Sequence, residues 1–288
     1  MRTRMMVLAV AMAFVLGSAG TAMAGLISHY AFESNLDNSV TGAPTADYQP
    51  DPDTPTYVDG PATFGKAVQF LGPDDCLRLL GTGGPHQASM ALGSIALYFK
   101  TPESFTDPFV FCGAVDREGT PSEQMFAVGS GWYGGSDSGE LSLYVRDADG
   151  DTIRVQTSGA ANWRDAQWHH FAAAWNGGGG DVSDSVRMWL DGKPLAITDT
   201  YPTPPGSYWG DLDDFPAWWY APVLGGFNSR GTITLQFEGA VDEFRVYEGM
   251  ITQDDVNGLL PPDAPVSEPA SLGLLGLALL GLRKKRRS

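Results

Sequence analysis

The chain has 288 residues and a formal net charge of −16, with 34 acidic residues against 18 basic ones. The length is that of one large domain or two small ones. So acidic a surface repels nucleic acid and anionic membrane and makes both poor partners, while cations, neutral glycans and basic partners remain compatible with it.

Residues 1–24 read as a signal peptide. Arg2 and Arg4 form a positive start, Met5 to Leu16 is an unbroken apolar run, and Ala22-Met23-Ala24 is a small-x-small cleavage site, which places the mature start at Gly25. The run is well short of the roughly 20 residues a spanning helix needs. With two basic residues in this leader and five near the C-terminus, eleven of the 18 stand against all 34 acids between residues 25 and 282, a net of −23. The same acidity also serves simply to keep an exported protein soluble.

From Gly25 to about Gly249 the pattern is one of short alternating segments. Ile95, Leu97 and Phe99 alternate with Ala96, Tyr98 and Lys100; Leu141, Leu143 and Val145 with Ser142, Tyr144 and Arg146; Ile153 and Val155 with Arg154 and Gln156; Val186, Met188 and Leu190 with Arg187, Trp189 and Asp191. Thr232 to Phe237 places Ile233, Leu235 and Phe237 on one face. Period two with one apolar face predicts half-buried antiparallel strands, about a dozen of them, forming two sheets that bury those faces against each other. Asp149-Gly150 and Asp191-Gly192 supply tight hairpin turns, because both residue types tolerate positive φ. One helix is predicted, over Thr252 to Leu260, with Thr252 as N-cap, acids in the first turn and Pro261-Pro262 as the stop.

Pro261 to Ser267 is a spacer, and residues 268–288 form a tail: Glu268-Pro269, an apolar run Leu272 to Leu282, then Arg283 to Arg287. The eleven apolar residues span only about 17 Å as a helix, against about 30 Å of hydrocarbon. A basic cluster after such a run holds the tail at the membrane, and the short length suits a transient anchor that is cut away. The three-part order resembles the PEP-CTERM sorting signal of Gram-negative bacteria, with Ser267 where that family usually has its first Pro. The resemblance implies export, cleavage near Glu268 and Pro269 by an exosortase-type membrane protease, and delivery to the cell surface or extracellular polymer.

The middle of the chain carries a second resemblance. Leu26 to Ser39, Phe64 to Phe70, Ser94 to Lys100, Trp168 to Phe171, Met188 to Lys193 and Gly239 to Tyr247 are similar, in order, to the strands of the LamG-like domain, a concanavalin A-like jelly roll. The implied fold for residues 25–260 is all-β: a laminin-G-like β-sandwich of two antiparallel sheets. In that family a structural calcium site, where present, joins the first strand to the last. Carried onto this sequence it would use Glu33, Asn35 and Asp242; the alternative is that Asp242 and Glu243 only hydrogen-bond loops or pair with Arg245.

Export permits a disulfide between the two cysteines, Cys76 and Cys112, and the pair is expected to bridge. Trp209, Trp218, Trp219 and Tyr220 crowd the Pro-rich stretch from Pro202 to Pro222. Their flat faces, with carboxylates nearby, suit stacking on sugar rings; the same rings could equally form a small core of their own. His169 and His170 are adjacent in a predicted strand and point to opposite faces, so they cannot chelate one metal. The Glu-x-Asp-x-x-Glu string of jelly-roll glucanases, a Gly-x-Ser-x-Gly elbow, His-Glu-x-x-His and a phosphate loop are absent from the sequence. The expectation is therefore a non-catalytic protein that binds glycan or extracellular polysaccharide. The alternatives are a purely structural envelope or biofilm component and, behind it, a glucanase-like enzyme.

Overall fold

The computed structural model describes residues 24–262 apart from 41–44, 50–53, 73–74, 80–91, 117–123, 132–138, 147–151, 159–162, 177–184, 200–221 and 230. In chain order the strands are β1 (Gly25–Tyr30), β2 (Asp47–Gln49), β3 (Thr56–Asp59), β4 (Lys66–Phe70), β5 (Cys76–Arg78), β6 (Leu92–Lys100), β7 (Phe109–Asp116), β8 (Gln124–Ser130) and β9 (Leu141–Arg146). They continue as β10 (Thr152–Thr157), β11 (His169–Asn176), β12 (Val186–Leu190), β13 (Lys193–Pro194), β14 (Ile197–Asp199), β15 (Val223–Leu224), β16 (Phe227–Ser229), β17 (Thr232–Thr234) and β18 (Gly239–Glu248). A single described helix, α1 (Gln253–Leu259), follows.

Two sheets result. The first runs β13-β12-β11-β6-β18-β4-β3, with β1 also on β18; the second runs β14-β10-β9-β8-β7-β15-β5-β2, with β16 and β17 attached beside β7. Pairing is antiparallel except where β16 meets β7. The strands beyond the expected dozen are pieces of two to four residues such as β13, β15 and β17, too short to show alternation.

The inner faces are those the alternation predicts. Ile95, Leu97 and Phe99 from β6 meet Phe126, Val128, Leu143 and Val145 from β8 and β9 in one buried cluster. Aromatic rings fill its centre: Phe111 lies 4.7 Å from Phe99, 4.8 Å from Phe109 and 5.2 Å from Phe237, centroid to centroid. Ile233, Leu235 and Phe237 do not share one strand face as expected. The strand stops at Thr234, Leu235 takes φ 51°, and Phe237 turns inward to be 1% exposed. Burying that ring among Phe70, Phe99, Phe105, Phe109 and Phe111 outweighs extending the ladder.

On the outer face of the first sheet, α1 packs Val256 against Ala96, Ala172, Ala174 and Trp189. The alanines leave room for a helix at close range. Thr252 caps it as expected: its side chain accepts from the Asp255 amide, and Asp255 returns a bond to the Thr252 N–H in a capping box. At the other end of β12, Asp191 and Gly192 take φ 51° and 74°, the left-handed pair a tight hairpin turn requires.

The cysteines do not pair with each other. Cys76 is on β5 and Cys112 on β7, with β15 between them: Leu224 pairs with both Leu77 and Cys112. Two strand spacings put them about 9–10 Å apart, beyond the roughly 7 Å that a bridge tolerates. Cys112 joins the inner cluster with Leu77, so Cys76, next along β5, points outward. Both are buried and outside any disulfide.

His169 and His170 face opposite ways, as expected. The His169 ring lies 5.8 Å from Phe99, and the His170 ring lies 4.8 Å from Tyr98 on the outer face. His169 Nδ1 is 2.9 Å from Asp191 Oδ2, and its Nε2 is 2.9 Å from Asp165 Oδ1. Burial pulls the His169 pKa down, but the two carboxylates outweigh it and the pKa is raised above its ordinary 6.5. Burial likewise pushes Asp165 up; the imidazole bond and the Gln167 amide overcome it and hold Asp165 below 3.8.

Replacing Phe237 with Ala should cost about 3–5 kcal/mol by chemical denaturation, with the denaturant slope unchanged, and thiol titration in denaturant without reductant should count two cysteines. For His169, the raised folded pKa means its contribution is complete below 6.5 and lost as pH rises through the folded value; the lowered Asp165 contributes above 3.8 and loses that as pH falls. The stability gap between the protein and His169→Gln should therefore be widest between those two ordinary values and close above neutrality. A gap that stays level from pH 5 to pH 9 would contradict this.

Candidate functional site

Strand β18 changes partner part-way along. On one side β4 pairs with Gly239 to Val241, and β1 takes over at Phe244. Asp242 and Glu243 fall in the gap, where the register with β6 also shifts and Glu243 adopts φ 52°. The first sheet is therefore interrupted at the residues that the sequence marks as candidate ligands.

Asp242 is fully buried. Its Oδ1 accepts from the Glu243 amide at 2.8 Å, and its Oδ2 has no hydrogen-bond partner. Burial, with the nearby Glu243 and Glu33 charges adding to it, pushes its pKa up to about 8. Glu33 approaches from the segment after β1, between Phe32 and Ser34 at φ 49° and 62°. Its Oε2 accepts the Lys66 amide at 3.1 Å. Both carboxylates face the turn from Gly60 to Gly65, which is closed by a 3.0 Å bond from the Gly60 N–H to the Gly65 carbonyl. A Cβ on Gly65 would collide with the Glu33 carboxylate, and one on Gly60 would be wedged between the Phe64 carbonyl and Asp242 Oδ2. Non-glycine residues at positive φ each cost about 1–3 kcal/mol and collect where structure serves a site; three of them flank these two acids.

Asn35 does not join the pair. Its Oδ1 accepts the Asp37 amide at 2.9 Å and its Nδ2 reaches the Glu33 carbonyl at 3.4 Å, so it closes its own turn. Among the described residues no group of three or more His, Cys, Asp and Glu side chains is placed to hold a metal. The cradle offers two carboxylates, one with an orphaned oxygen, and backbone carbonyls beside them. This donor set fits a hard cation that takes oxygen ligands.

Glu243, which the sequence reading gave only as a pairing residue, turns the other way. His29 Nε2 lies 3.0 Å from its Oε2, and Arg245 pairs with the same oxygen. Burial raises the Glu243 carboxyl, but these two partners outweigh it and hold the pKa below the usual range. Ser39 Oγ sits 2.8 Å from His29 Nδ1, completing a serine–histidine–glutamate line. Arg245 shares that carboxylate, and the line ties the segment around β1 to β18.

Trp209, Trp218, Trp219 and Tyr220, and the sorting residues Glu268 and Pro269, lie outside the described residues. A concavity that sequence reasoning missed lies beside Trp168, with a volume of about 360 Å³ and Gln69, Lys100, Thr101 and Ala240 among its walls. No spacing in the sequence announces it, because its walls come from β3, β4, β6, β18 and the turn before β11.

Comparison with known proteins supports the architecture. Domain 4 of AbnA, an extracellular arabinanase from Geobacillus stearothermophilus solved with arabinotriose, superposes with a TM-score of 0.56 at 20% identity, over 83% of this chain and 100% of that domain. The botulinum neurotoxin serotype D binding domain superposes with a TM-score of 0.53 at 8% identity, over 82% of this chain and 50% of that one. No curated protein matches the sequence. The family model of the PEP-CTERM protein-sorting motif matches residues 265–287, which marks the protein as exported from a Gram-negative-type bacterium and processed by an exosortase. A second model matches residues 94–257, more than half of the chain, and the protein belongs to the concanavalin A-like lectin/glucanases superfamily.

Proposed function

We propose that this is a non-catalytic glycan-binding module that acts at the cell surface or in the extracellular polymer. The observation that carries the reading is the union, in one exported chain, of this sandwich with a surface-sorting signal. Two further observations support it. The similar arabinanase domain was solved with arabinotriose. The inner faces of both sheets are given over to the aromatic core, which leaves recognition to the outer faces and rim loops. The aromatic stretch from Pro202 to Pro222, outside the described residues, is carried into this reading on its composition alone.

The same reading gives the Glu33–Asp242 cradle to a structural calcium ion. Both carboxylates and the carbonyls of the Gly60–Gly65 turn would hold it, and it would supply a charge that locks β1 and β18 together. Its part is stability alone; no recognition step passes through it.

Arabinotriose and neutral homopolysaccharides should bind the exported protein in titration calorimetry without being cleaved. Binding by none of them would leave a structural envelope component, and turnover of any would make it an enzyme. Calcium at about 100 times its dissociation constant should add roughly 2.7 kcal/mol and raise the melting temperature by about 5–10 °C. A chelator should reverse the shift, and Asp242→Asn should abolish it. An unchanged melting curve removes the ion from the cradle.

A further inference from the structure

We infer that the concavity beside Trp168, on the outer face of the first sheet, is a subsite for one uncharged sugar ring; the inference rests on the glycan-binding reading and gives it a place in the fold. The floor is one cross-strand row: Gln69 pairs with Ala240 and Ala240 with Lys100, so the three side chains share one face, and Val58 and Asp59 of β3 border it. Trp168 immediately precedes His169, the partner of Phe99, and so stands at the end of that row beside Lys100. Ala240, with Gly239 before it, makes the row dip between Gln69 on one side and Lys100 and Trp168 on the other. The resulting volume of about 360 Å³ falls within the roughly 300–1,000 Å³ of small-molecule sites.

The chemistry of the walls is that of a saccharide. A sugar ring has an apolar C–H face and a rim of hydroxyls. The partly exposed Trp168 indole supplies a flat apolar surface for the first. The Gln69 amide and the Lys100 ammonium, which has no ion-pair partner among the described residues, supply donors for the second. Thr101, 1% exposed, borders the hollow next to Lys100. Asp59 stands at the edge, bonded to Lys66 at 2.6 Å. The net −23 of residues 25–282 disfavours an acidic sugar through its long-range field.

The wall is also held in place before any ligand arrives. The turn that carries Trp168 is closed by the Asp165–His169–Asp191 bridge, by a 2.9 Å bond from the Gln167 amide to Asp165 Oδ1, and by Ala166 at φ 56°. A fixed aromatic wall loses little freedom on binding, and this is where affinity for a weak ligand is gained.

The test titrates arabinotriose and a panel of neutral arabinan, xylan, glucan and galactan oligosaccharides into the full exported chain and its variants. Trp168→Ala should weaken binding at least about tenfold, the loss typical of a central aromatic anchor. Trp168→Phe should keep most of the affinity, Gln69→Ala should lose a few-fold, and the melting temperature of Gln69→Ala should match that of the parent. Oligogalacturonate should bind more weakly than its neutral counterpart at low salt, and the gap should narrow as salt is added. If Trp168→Phe, Trp168→Ala and Gln69→Ala all bind as the parent does while Trp218→Ala and Trp219→Ala do not, the subsite is overturned and the glycan reading survives. If the parent binds no member of the panel, the glycan reading falls first and takes the subsite with it.

Discussion

Everything in this fold depends on two pleated faces being sealed by one aromatic layer. Phe99, Phe109, Phe111 and Phe237 touch one another at centroid distances of 4.7 to 6.5 Å, and Trp163 closes the cluster with its indole N–H on the Gly139 carbonyl. Rings of this size fill the space between sheets, and edge-to-face contacts fix their relative angles. That layer also explains a local oddity. The chain abandons a strand after Thr234, and accepts a left-handed Leu235, so that Phe237 reaches the centre.

The outer face of the first sheet is built on a different principle. Along β18 the neighbouring strand changes from β4 to β1, and the sheet cannot continue its ladder through the change. The gap is filled by polar groups: Asp242 with an orphaned oxygen, and Glu243 shared by His29 and Arg245. A buried carboxylate without a partner is costly, and the rise of Asp242 to about 8 is the same cost expressed in protons. The Glu33 charge beside it strengthens the hold of the site on a proton and, by the same attraction, on a cation. The cradle is thus a consequence of how three strands meet, and its strain is local to Phe32, Ser34 and Glu243.

One row further along, the same sheet face carries the Trp168 concavity. Cradle and concavity share β4, β6 and β18, so anything that firms the junction of β1, β4 and β18 also firms the floor at Ala240. The histidine that anchors the Trp168 turn binds carboxylates on both ring nitrogens. This links the rigidity of the wall to the protonation of one residue. The proposed hollow and the acidic cradle are therefore neighbours on the outer face, while the aromatic core lies on the reverse side of the sheet and serves stability.

The sequence by itself determined the architecture. Period-two alternation at Ile95–Phe99, Leu141–Val145 and Val186–Leu190 put the right side chains inward, because strand geometry allows only two faces. Thr252 and its acidic first turn marked the helix, because capping is a local interaction. The tail was legible for the same reason: its chemistry lies in contiguous residues. Only the tertiary structure decided the rest. It separated Cys76 from Cys112 by an intervening strand that no spacing reveals. It joined Glu33 to Asp242 while leaving Asn35 to its own turn, since which oxygen faces a gap depends on a register shift more than 200 positions downstream. It also assembled a hollow from Gln69, Lys100 and Ala240, which lie in one row across three strands, and from Trp168 in the turn before β11. Adjacency along a chain is written in the chain; adjacency across a sheet arises only when strands choose their partners.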